Sequence, residues 1–325
     1  MASGRKMIDV CLYEWCCSGG LHGQSANAGL EGIAVLGQMM LEALAADAAR
    51  DPELAITVLV DAGRAVDVPP GVRVRPVEPG MEMESLVAAA QEAAWTVIVA
   101  PENEGILAAR VAGVRSAGAR VLAAPGPFIA VSSDKQATVD ALAAAGVPVP
   151  AGRSLSPAEP VPAGFHLPAV RKVRDGVGCE GMEIVHRRDA PPAAAATRLE
   201  ALVAGTPVGV SCLCGPRGIE VLPPMQQRFS EGDRPQYLGS EFFVDESMAR
   251  RAGALARRSV AAVASAAGGE QPIGWVGVDM ILGSREDGRL DRVLEVNPRL
   301  TVSFVWHAPR APSSLVRSLI DRARQ

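Results

Sequence analysis

The feature that most constrains the fold is a pair of apolar segments near the C-terminus that carry three oxygen-bearing side chains. The segments lie within residues 274–299, and a polar turn rich in glycine and acidic residues joins them. Both are rich in β-branched and aliphatic residues, so the pattern predicts a β-hairpin. With the turn centred near its middle, Asp279 lies opposite Glu295. Asn297 shares the face of Glu295, because side chains alternate along a strand.

Two carboxylates and an amide on one half-apolar face, which Trp275, Ile281 and Val293 are expected to share, cost free energy unless a cation compensates them. Oxygen-only ligands suit a hard ion that keeps part of its water shell and touches phosphate, which favours Mg²⁺, with Mn²⁺ as a substitute. Arg299 follows the strand-ending Pro298 and projects a permanent charge beside the proposed metal. The alternative is an ordinary hairpin with its acids in solvent.

A lysine on a predicted strand precedes a glycine-rich segment in the middle of the chain. Lys172 ends an apolar run, and residues 175–181 follow with three glycines, which are Gly176, Gly178 and Gly181. Glycines let backbone N–H groups approach phosphate oxygens, while the lysine supplies a charge. A glycine-rich loop alone is a weak signal. Preceded by Lys172 and followed by the acidic hairpin, it predicts a phosphate site.

A second lysine lies at the start of a predicted helix that runs to Ala145. Ser133 is the expected N-cap of this helix, and Lys135 lies in its first turn. The pattern alone favours a solvated lysine over a phosphate ligand.

The first 124 residues alternate apolar strands with amphipathic helices, which predicts a small α/β sheet. Loops at the carboxyl ends of such strands line a crevice. One of these loops carries Glu14, Gly19 and Gly20, and another carries Glu102. Their polar groups suit a small substrate, although the second loop could equally only begin the next helix. The Gly-x-Gly-x-x-Gly pattern of dinucleotide sites is absent.

Composition excludes several classes of partner. A net charge of −4 and an aromatic content of 4% argue against nucleic acid and anionic membranes as partners. No apolar run is long enough to span a bilayer, so the cytoplasm is the expected location. The six cysteines include no Cys-x-x-Cys pair, so buried thiols are expected rather than disulfides. A soft-metal site at Cys212 and Cys214 is the minor alternative. A homo-oligomer is compatible with the sequence.

Together the motifs resemble the ATP-grasp ligases. The resemblance rests on Gly-x-Val-Asp279, on Glu295-x-Asn297-Pro-Arg299, and on Asp134-Lys135 followed by Gly-x-Pro-x-Pro. It implies an α/β ATP-grasp fold with an N-terminal Rossmann-like domain at residues 1–124. A central subdomain at 125–200 and a C-terminal subdomain at 201–325 would follow.

The same resemblance implies roles for individual residues. Asp279, Glu295 and Asn297 would hold Mg²⁺ on the ATP phosphates, and Lys135 and Lys172 would neutralise them. The glycine-rich loop would close over the triphosphate, and backbone groups near Leu202 and Val203 would bind adenine. Two departures stand out: Val173 replaces the usual proline after the lysine, and Glu200 is the only carboxylate near the expected ribose position.

Further segments resemble a narrower group, the tyramine–glutamate ligases of methanofuran biosynthesis and their bacterial relatives that use tyrosine for the analogous methylofuran. These segments are Tyr13-Glu14 with Gly19-Gly20, Glu31-Gly32, Ala100-Pro-Glu102, Asp175–Gly181, Val210-Ser211 and Asn297–Thr301. The resemblance implies a small-molecule substrate site at Glu14, Gly19, Gly20, Glu31 and Glu102.

The expected activity is ATP- and Mg²⁺-dependent joining of a carboxylate, glutamate, to the amine of tyrosine or tyramine through an acylphosphate. Arg299 would stabilise the reacting groups with Lys172, and Arg228 would face a substrate anion or lie on the surface. Three alternatives stay open: a ligase with a different acceptor, a phosphotransferase that stops at phosphorylation, and a nucleotide-binding module without turnover.

Overall fold

The N-terminal third is a parallel sheet covered by helices. The computed structural model describes residues 7–23, 28–243 and 245–324. The elements of this part are β1 (Ile8–Glu14), α1 (Ala28–Ala48), β2 (Leu54–Asp61), β3 (Arg73–Val77), α2 (Glu82–Glu92), β4 (Trp95–Val99) and α3 (Ile106–Ser116). The strand order is β3-β2-β1-β4, and all pairs are parallel. The central strands are almost wholly apolar because helices cover both faces.

After α3 the chain returns to the sheet and forms one parallel bridge, between Val121 and Thr96. The chain continues into two consecutive helices, α4 (Gly126–Ser133) and α5 (Lys135–Ala144). The expected cap was wrong by one residue. Asp134 is extended, and its side chain accepts the backbone N–H groups of Gln136 at 2.8 Å and Ala137 at 3.2 Å. Ser133 ends α4 instead, because its hydroxyl donates back to the carbonyl of Ile129 at 2.7 Å.

An antiparallel sheet follows and carries the glycine-rich loop. Its strands are β5 (Gly152–Leu155), β6 (Ala169–Val173), β7 (Glu183–Val185) and β8 (Thr197–Ala201), in the order β5-β8-β6-β7. Lys172 lies on the inner strand β6, and the glycine-rich loop connects β6 to β7. This arrangement matches the predicted strand–loop sequence.

A larger antiparallel sheet contains the acidic hairpin. Its elements in chain order are β9 (Thr206–Gly215), β10 (Gly218–Val221), β11 (Met225–Phe229), β12 (Tyr237–Phe242), α6 (Glu246–Ala266), β13 (Gly274–Leu282) and β14 (Arg292–Asn297). The order is β12-β11-β9-β13-β14, with β10 on β9. Asp279 pairs directly with Glu295, so the predicted register is confirmed.

A β-bulge follows that pair and changes one expectation. The next pair joins Met280 to Val293, so Leu294 is the extra residue. Val293 therefore enters the core beside Met280 instead of sharing the face of Glu295. Trp275 is also in the core, whereas Ile281 stays on the face of Asp279.

The last two helices tie the C-terminus to the N-terminal sheet. These are α7 (Phe304–His307) and α8 (Leu315–Ala323), and both pack on α1. Asp47 of α1 accepts the hydroxyl of Ser314 and the backbone N–H of Val316, each at 2.9 Å. Helices α4 and α5 pack on α6 and β14, away from the sheet that follows them in sequence. The domain boundaries at residues 124 and 200 stay predictions.

Within the described residues, no helix is long and apolar enough to cross a membrane.

Candidate active site

The three sheets meet around one cavity of about 900 Å³. The larger sheet contributes the acidic hairpin, the smaller antiparallel sheet contributes β6 with its glycine-rich loop, and the N-terminal sheet contributes α1 and the end of β4. A space of this size accommodates a nucleotide and a small substrate together. The cavity therefore joins the parts of the chain that the sequence motifs singled out.

The hairpin acids lie side by side on the cavity wall. Asn297 Nδ2 donates to Asp279 Oδ2 at 2.8 Å, and Gln227 Nε2 donates to Asp279 Oδ1 at 2.8 Å. Burial and then the charge of Glu295 raise the pKa of Asp279 to about 7. The two carboxylates therefore repel each other at neutral pH unless a cation compensates them.

Lysine and arginine charges act on Glu295 in the opposite direction. Burial tends to raise the pKa of Glu295, but the charges of Lys135, Lys172 and Arg299 outweigh it and lower the pKa. Lys135 Nζ lies 3.5 Å from Glu295 Oε2. Below pH 7 Asp279 therefore holds the proton of the pair, while Glu295 stays ionised.

The donor set fits a hard divalent cation. Among the described residues, no cluster of three or more His, Cys, Asp or Glu side chains could hold a metal ion. The candidate site of the hairpin is a different kind of set, with two carboxylates and one amide. Asp279 and Glu295 offer carboxylate oxygens. Because the amide nitrogen of Asn297 is used on Asp279, its oxygen remains for a ligand. Two carboxylates and an amide oxygen suit Mg²⁺ or Mn²⁺ better than a thiophilic metal.

Both predicted lysines reach the cavity and are buried there. Lys172 forms an ion pair with the buried Glu200, which also accepts from Arg198 at 3.2 Å. Burial tends to lower the pKa of Lys172, but Glu200 and Glu295 together raise it, so this lysine remains charged. Lys135 donates to the carbonyl of Gly176 in the glycine-rich loop. Glu200, considered above for a ribose, is thus engaged by two cations.

Arg299 connects the hairpin to the N-terminal sheet. Its Nε donates to Glu102 Oε2 at 2.7 Å, and both side chains are largely buried. Burial tends to lower the pKa of Arg299, but Glu102 and then Glu295 raise it. Arg299 lines the cavity, whereas Glu102 does not. The structure thus gives the Glu102 carboxylate a partner in Arg299, and a direct contact of Glu102 with substrate stays a prediction.

The other predicted substrate residues divide into two groups. Glu14 lines the cavity and accepts the backbone N–H of Cys17 at 2.8 Å. Burial raises the pKa of Glu14, although the hydrogen bonds from Cys17 act against it. Gly19, Gly20 and Glu31 are not on the cavity wall.

Local packing explains these three misses. Gly19 faces His22 and Asp61, and Gly20 packs so closely on the indole of Trp15 that it leaves no room for a Cβ. Glu31 is exposed on α1, whose apolar residues supply the wall in its place: Ile33, Val35, Leu36 and Met40. The glycines thus serve the packing of their own loop.

Arg228 was expected near the reacting groups and lies elsewhere. It is exposed, while Gln227 and Phe229 on either side of it line the cavity. Because neighbouring side chains on β11 point to opposite faces, only one set can reach the site. Gln227, which sequence reasoning missed, contacts Asp279 instead.

The residues predicted to bind nucleotide lie mostly on the wall. Gly176, Gly178, Leu202 and Val203 line the cavity, whereas Gly181 does not. Gly181 has a φ of +68°, and a Cβ there would lie 2.7 Å from Val173 Cγ2. Glycine at this position therefore lets the backbone of the loop turn back close to β6. The roles of these residues in nucleotide binding stay predictions.

Four hydroxyl residues that the motifs did not predict as site residues also line the cavity: Tyr237, Ser240, Thr301 and Ser303. Tyr237 hydrogen-bonds Ser240 at 2.7 Å, and Thr301 hydrogen-bonds Ser303 at 2.7 Å. For Thr301 and Ser303, the only sequence signal was their position shortly after Arg299. Tyr237 has none, because β12 is brought to the site by tertiary pairing with β11.

All six cysteines are free thiols, as expected. Cys212 and Cys214 are buried on β9, and burial raises the pKa of Cys212 to about 12. Cys179 of the glycine-rich loop is the one cysteine of the set that borders the cavity. The described residues thus show buried thiols where a soft-metal site was the minor alternative.

Comparison with protein families finds one matching model, that of the ATP-grasp domain, over residues 132–303. This match covers more than half of the chain and includes both lysines and the whole acidic hairpin. No curated protein sequence matches the chain.

Solved structures resemble the chain along nearly its full length. An ATP-grasp superfamily protein from Archaeoglobus fulgidus matches with a TM-score of 0.72 and 20% identity, over 97% of this chain and 89% of that one. Biotin carboxylase from Campylobacter jejuni matches with a TM-score of 0.71 and 16% identity, over 98% and 71%. An L-amino acid ligase from Bacillus licheniformis matches with a TM-score of 0.63 and 15% identity, over 93% and 70%. At these identities the likeness is one of fold.

Proposed function

The chain belongs to the ATP-grasp domain family, and from that premise we propose that it is an ATP-dependent carboxylate–amine ligase. The observation that carries the proposal is the convergence of the acidic hairpin, two buried lysines and Arg299 on one cavity. Positive charges beside a cation site suit the phosphates of ATP. The named ligases among the structural neighbours add support at the level of fold.

The donor side of the reaction is proposed as follows. A carboxylate of the first substrate attacks the γ-phosphorus of ATP, the bond to the β-bridging oxygen breaks, and ADP leaves. Lys135 and Lys172 neutralise the phosphates, and Arg299 stabilises charge on the transferring group. When bound at Asp279, Glu295 and Asn297, a divalent cation supplies further neutralisation of the phosphate charge. The product of this step is an acylphosphate and ADP.

The acceptor side completes the amide. An amine nitrogen attacks the acyl carbon, and the bond between that carbon and the phosphate oxygen breaks. Phosphate leaves with the electron pair of this bond, and the nitrogen loses a proton. The glycine-rich loop lines the cavity, and its closure would exclude water from the acylphosphate. The apolar wall supplied by α1 gives an aryl group a surface to pack on.

For substrates, we propose glutamate as the carboxylate and tyrosine or tyramine as the amine, in the biosynthesis of a methanofuran-type one-carbon cofactor. This choice rests on the segment resemblance around Glu14, Ala100–Glu102 and Asn297–Thr301. The apolar wall next to Glu14 is consistent with an aromatic amine.

The test is ADP release from the purified protein with ATP, Mg²⁺ and glutamate, with and without tyrosine or tyramine. We expect ADP to rise only with both amino substrates, together with the mass of the new amide, and to be lost in Glu295→Ala. ADP released with glutamate alone at the same rate would favour a phosphotransferase. No stimulation by either amine, with ATP bound, would remove the substrate assignment and leave the family.

A further inference from the structure

A chain of hydrogen bonds leads from the core to the cavity wall just past Arg299. Trp275 Nε1 donates to Thr301 Oγ1 at 3.3 Å, Thr301 Oγ1 lies 2.7 Å from Ser303 Oγ, and Ser303 Oγ lies 2.8 Å from Ser211 Oγ. The two ends, Trp275 and Ser211, are 3% and 2% exposed. The two middle residues line the cavity. The proposed reaction assigns no role to this row of hydrogen bonds.

Counting protons shows what the chain offers to the cavity. The four groups carry one hydrogen-bonding proton each, and three hydrogen bonds join them. The indole N–H can only donate. For Ser211, the described residues provide Ser303 as hydrogen-bond partner, and an unused buried donor is costly. Both ends therefore donate inward, and the one uncommitted proton belongs to Thr301 or Ser303.

The position of this proton selects the kind of ligand. Ser303 directly precedes α7, which packs on α1, the helix that forms the N-terminal wall of the cavity. Lys135 and Lys172, the proposed phosphate ligands, come from α5 and β6 and not from the segment that carries Thr301 and Ser303. Arg299, two residues before Thr301, lines the same cavity with a permanent charge. A hydroxyl donor beside a guanidinium suits an anionic oxygen of the substrate.

We propose that Thr301 and Ser303 form a donor pair that recognises a carboxylate of the substrate, distinct from the carboxylate that becomes activated. The inference rests on the proposed function insofar as it takes the ligands of this cavity to be amino acids. Two sources share this chemistry: the free carboxylate of an amino-acid acceptor, and the α-carboxylate of glutamate. The first would make tyrosine the preferred acceptor over tyramine.

The experiment compares ligands that differ only by that carboxylate. Binding of tyrosine against tyramine, and of glutamate against 4-aminobutyrate, is measured by calorimetry with Mg²⁺ and a non-hydrolysable ATP analogue. We expect the wild type to bind the carboxylate-bearing member of one pair roughly tenfold or more tightly, the worth of a hydrogen bond to a charged group. The pair that shows the preference identifies the source.

Variants then test the donor pair itself. The double variant Thr301→Val/Ser303→Ala removes both candidate protons and should bring the two ligands within about twofold of each other, since the charge-assisted bond is lost. Ser211→Ala is the matched control. It deletes a hydroxyl from the same row of hydrogen bonds. One uncommitted proton still remains on Thr301 or Ser303, so the preference for the carboxylate-bearing ligand should persist.

The inference is overturned if the wild type favours neither carboxylate, or if the double variant keeps the preference. If circular dichroism shows that the double variant does not fold, the single variants decide. Ser303→Ala or Thr301→Val must then reduce the preference about threefold or more, because each displaces the donor from its position. An unchanged preference in both would overturn the inference. A preference that is lost as expected, in a protein that forms no amide, would contradict the ligase and leave the carboxylate site.

Discussion

At the scale of single residues, the protonation of Asp279 controls the charge of the cation site. The amides of Gln227 and Asn297 each donate to this carboxylate, yet burial and Glu295 still raise its pKa to about 7. An acid whose folded pKa is raised binds a proton that the unfolded chain has released. Its contribution therefore lowers stability as pH rises from the unfolded to the folded pKa.

The first prediction follows from this loss of stability with rising pH. Between pH 5 and pH 7, in chelator, the wild type should lose at least ~2 °C in Tm relative to Asp279→Asn, the response of a large domain to ~1 kcal/mol. Glu295 does not compensate, because its pKa is lowered and it is ionised throughout this range. Thermal denaturation at each pH provides the measurement. Parallel curves for the two proteins would show that Asp279 is not the titrating group.

A second prediction concerns the cation. At pH 8 the Asp279 carboxylate is ionised, so MgCl₂ should raise the Tm of the wild type by binding the folded state. Asp279→Asn should respond much less, since one ligand charge is missing. An equal rise in both proteins would place the bound ion elsewhere.

The third prediction concerns Glu102 as a positioning residue for Arg299. Because Glu102 holds the guanidinium Nε at 2.7 Å, Glu102→Ala should lower kcat by about 100-fold, the cost of misplacing a reacting group by ~1 Å. The KM for ATP should change little. Glu102→Gln keeps an oxygen acceptor and should recover much of the loss. If Gln and Ala variants were equally impaired, with a raised amine KM in both, Glu102 would contact substrate directly.

At the scale of elements, the N-terminus of α5 shows how a cap positions a functional lysine. Asp134 accepts two backbone N–H groups of α5 and pairs with Arg174, which follows β6. The backbone N–H of Lys135 also donates to the carbonyl of Arg174 at 2.9 Å. The cap thus fixes the helix that carries Lys135 against the strand that carries Lys172.

We therefore predict that Asp134→Ala destabilises the protein by ~1–2 kcal/mol, the usual cost of losing an N-cap. Asp134→Asn retains the capping oxygen and should cost less. Ser133→Ala is the matched control and should cost less than Asp134→Ala, because Ser133 caps no N–H group of α5 and loses only its bond to the carbonyl of Ile129. Urea denaturation measures all three, and a larger loss in Ser133→Ala would reverse the assignment.

The glycine-rich loop offers a matched pair for the fifth prediction. Gly178 and Gly181 have φ values of +59° and +68°, but a Cβ on Gly178 meets nothing within 4 Å, whereas one on Gly181 meets Val173 Cγ2 at 2.7 Å. Alanine costs roughly 1–2 kcal/mol at either left-handed position. Gly181→Ala adds a clash with β6 and should raise the KM for ATP more than Gly178→Ala does. Equal effects would mean that backbone conformation alone governs the loop.

Sequence patterns predicted well the elements whose contacts are local. The register of Asp279 with Glu295 followed from the turn, and Lys172 before the loop followed from the apolar run. The ATP-grasp fold and its parallel N-terminal sheet are confirmed. The bulge after Asp279 and the one-residue shift of the cap were missed, and of the two positions considered for Arg228 the structure shows the surface one. The bulge depends on pairing between strands, which the periodicity of one strand does not encode. The cap depends on which of two adjacent polar side chains reaches the first N–H groups of the helix.

At the scale of the whole molecule, polar contacts between distant segments link the parts of the chain that surround the cavity, in addition to the apolar core that the N-terminal and larger sheets share. Asp47 binds the start of α8, Glu102 binds Arg299, and Asp134 binds Arg174. Partners like these are separated by 40 to 269 residues, so no local pattern could have placed Gln227 or Ser303 on the cavity wall. The N-terminal part thereby reaches the reacting arginine as well as supplying a substrate wall.

The central claim is that a substrate carboxylate is activated by phosphoryl transfer before an amine attacks. The most direct measurement uses glutamate labelled with ¹⁸O in both carboxylates, with ATP, Mg²⁺ and the amine, followed by mass analysis of the phosphate released. We predict one ¹⁸O atom in each phosphate, because the carboxylate oxygen that attacks phosphorus leaves with it. Phosphate without the label, formed at the same rate as ADP, would mean that water attacks ATP and would contradict the account.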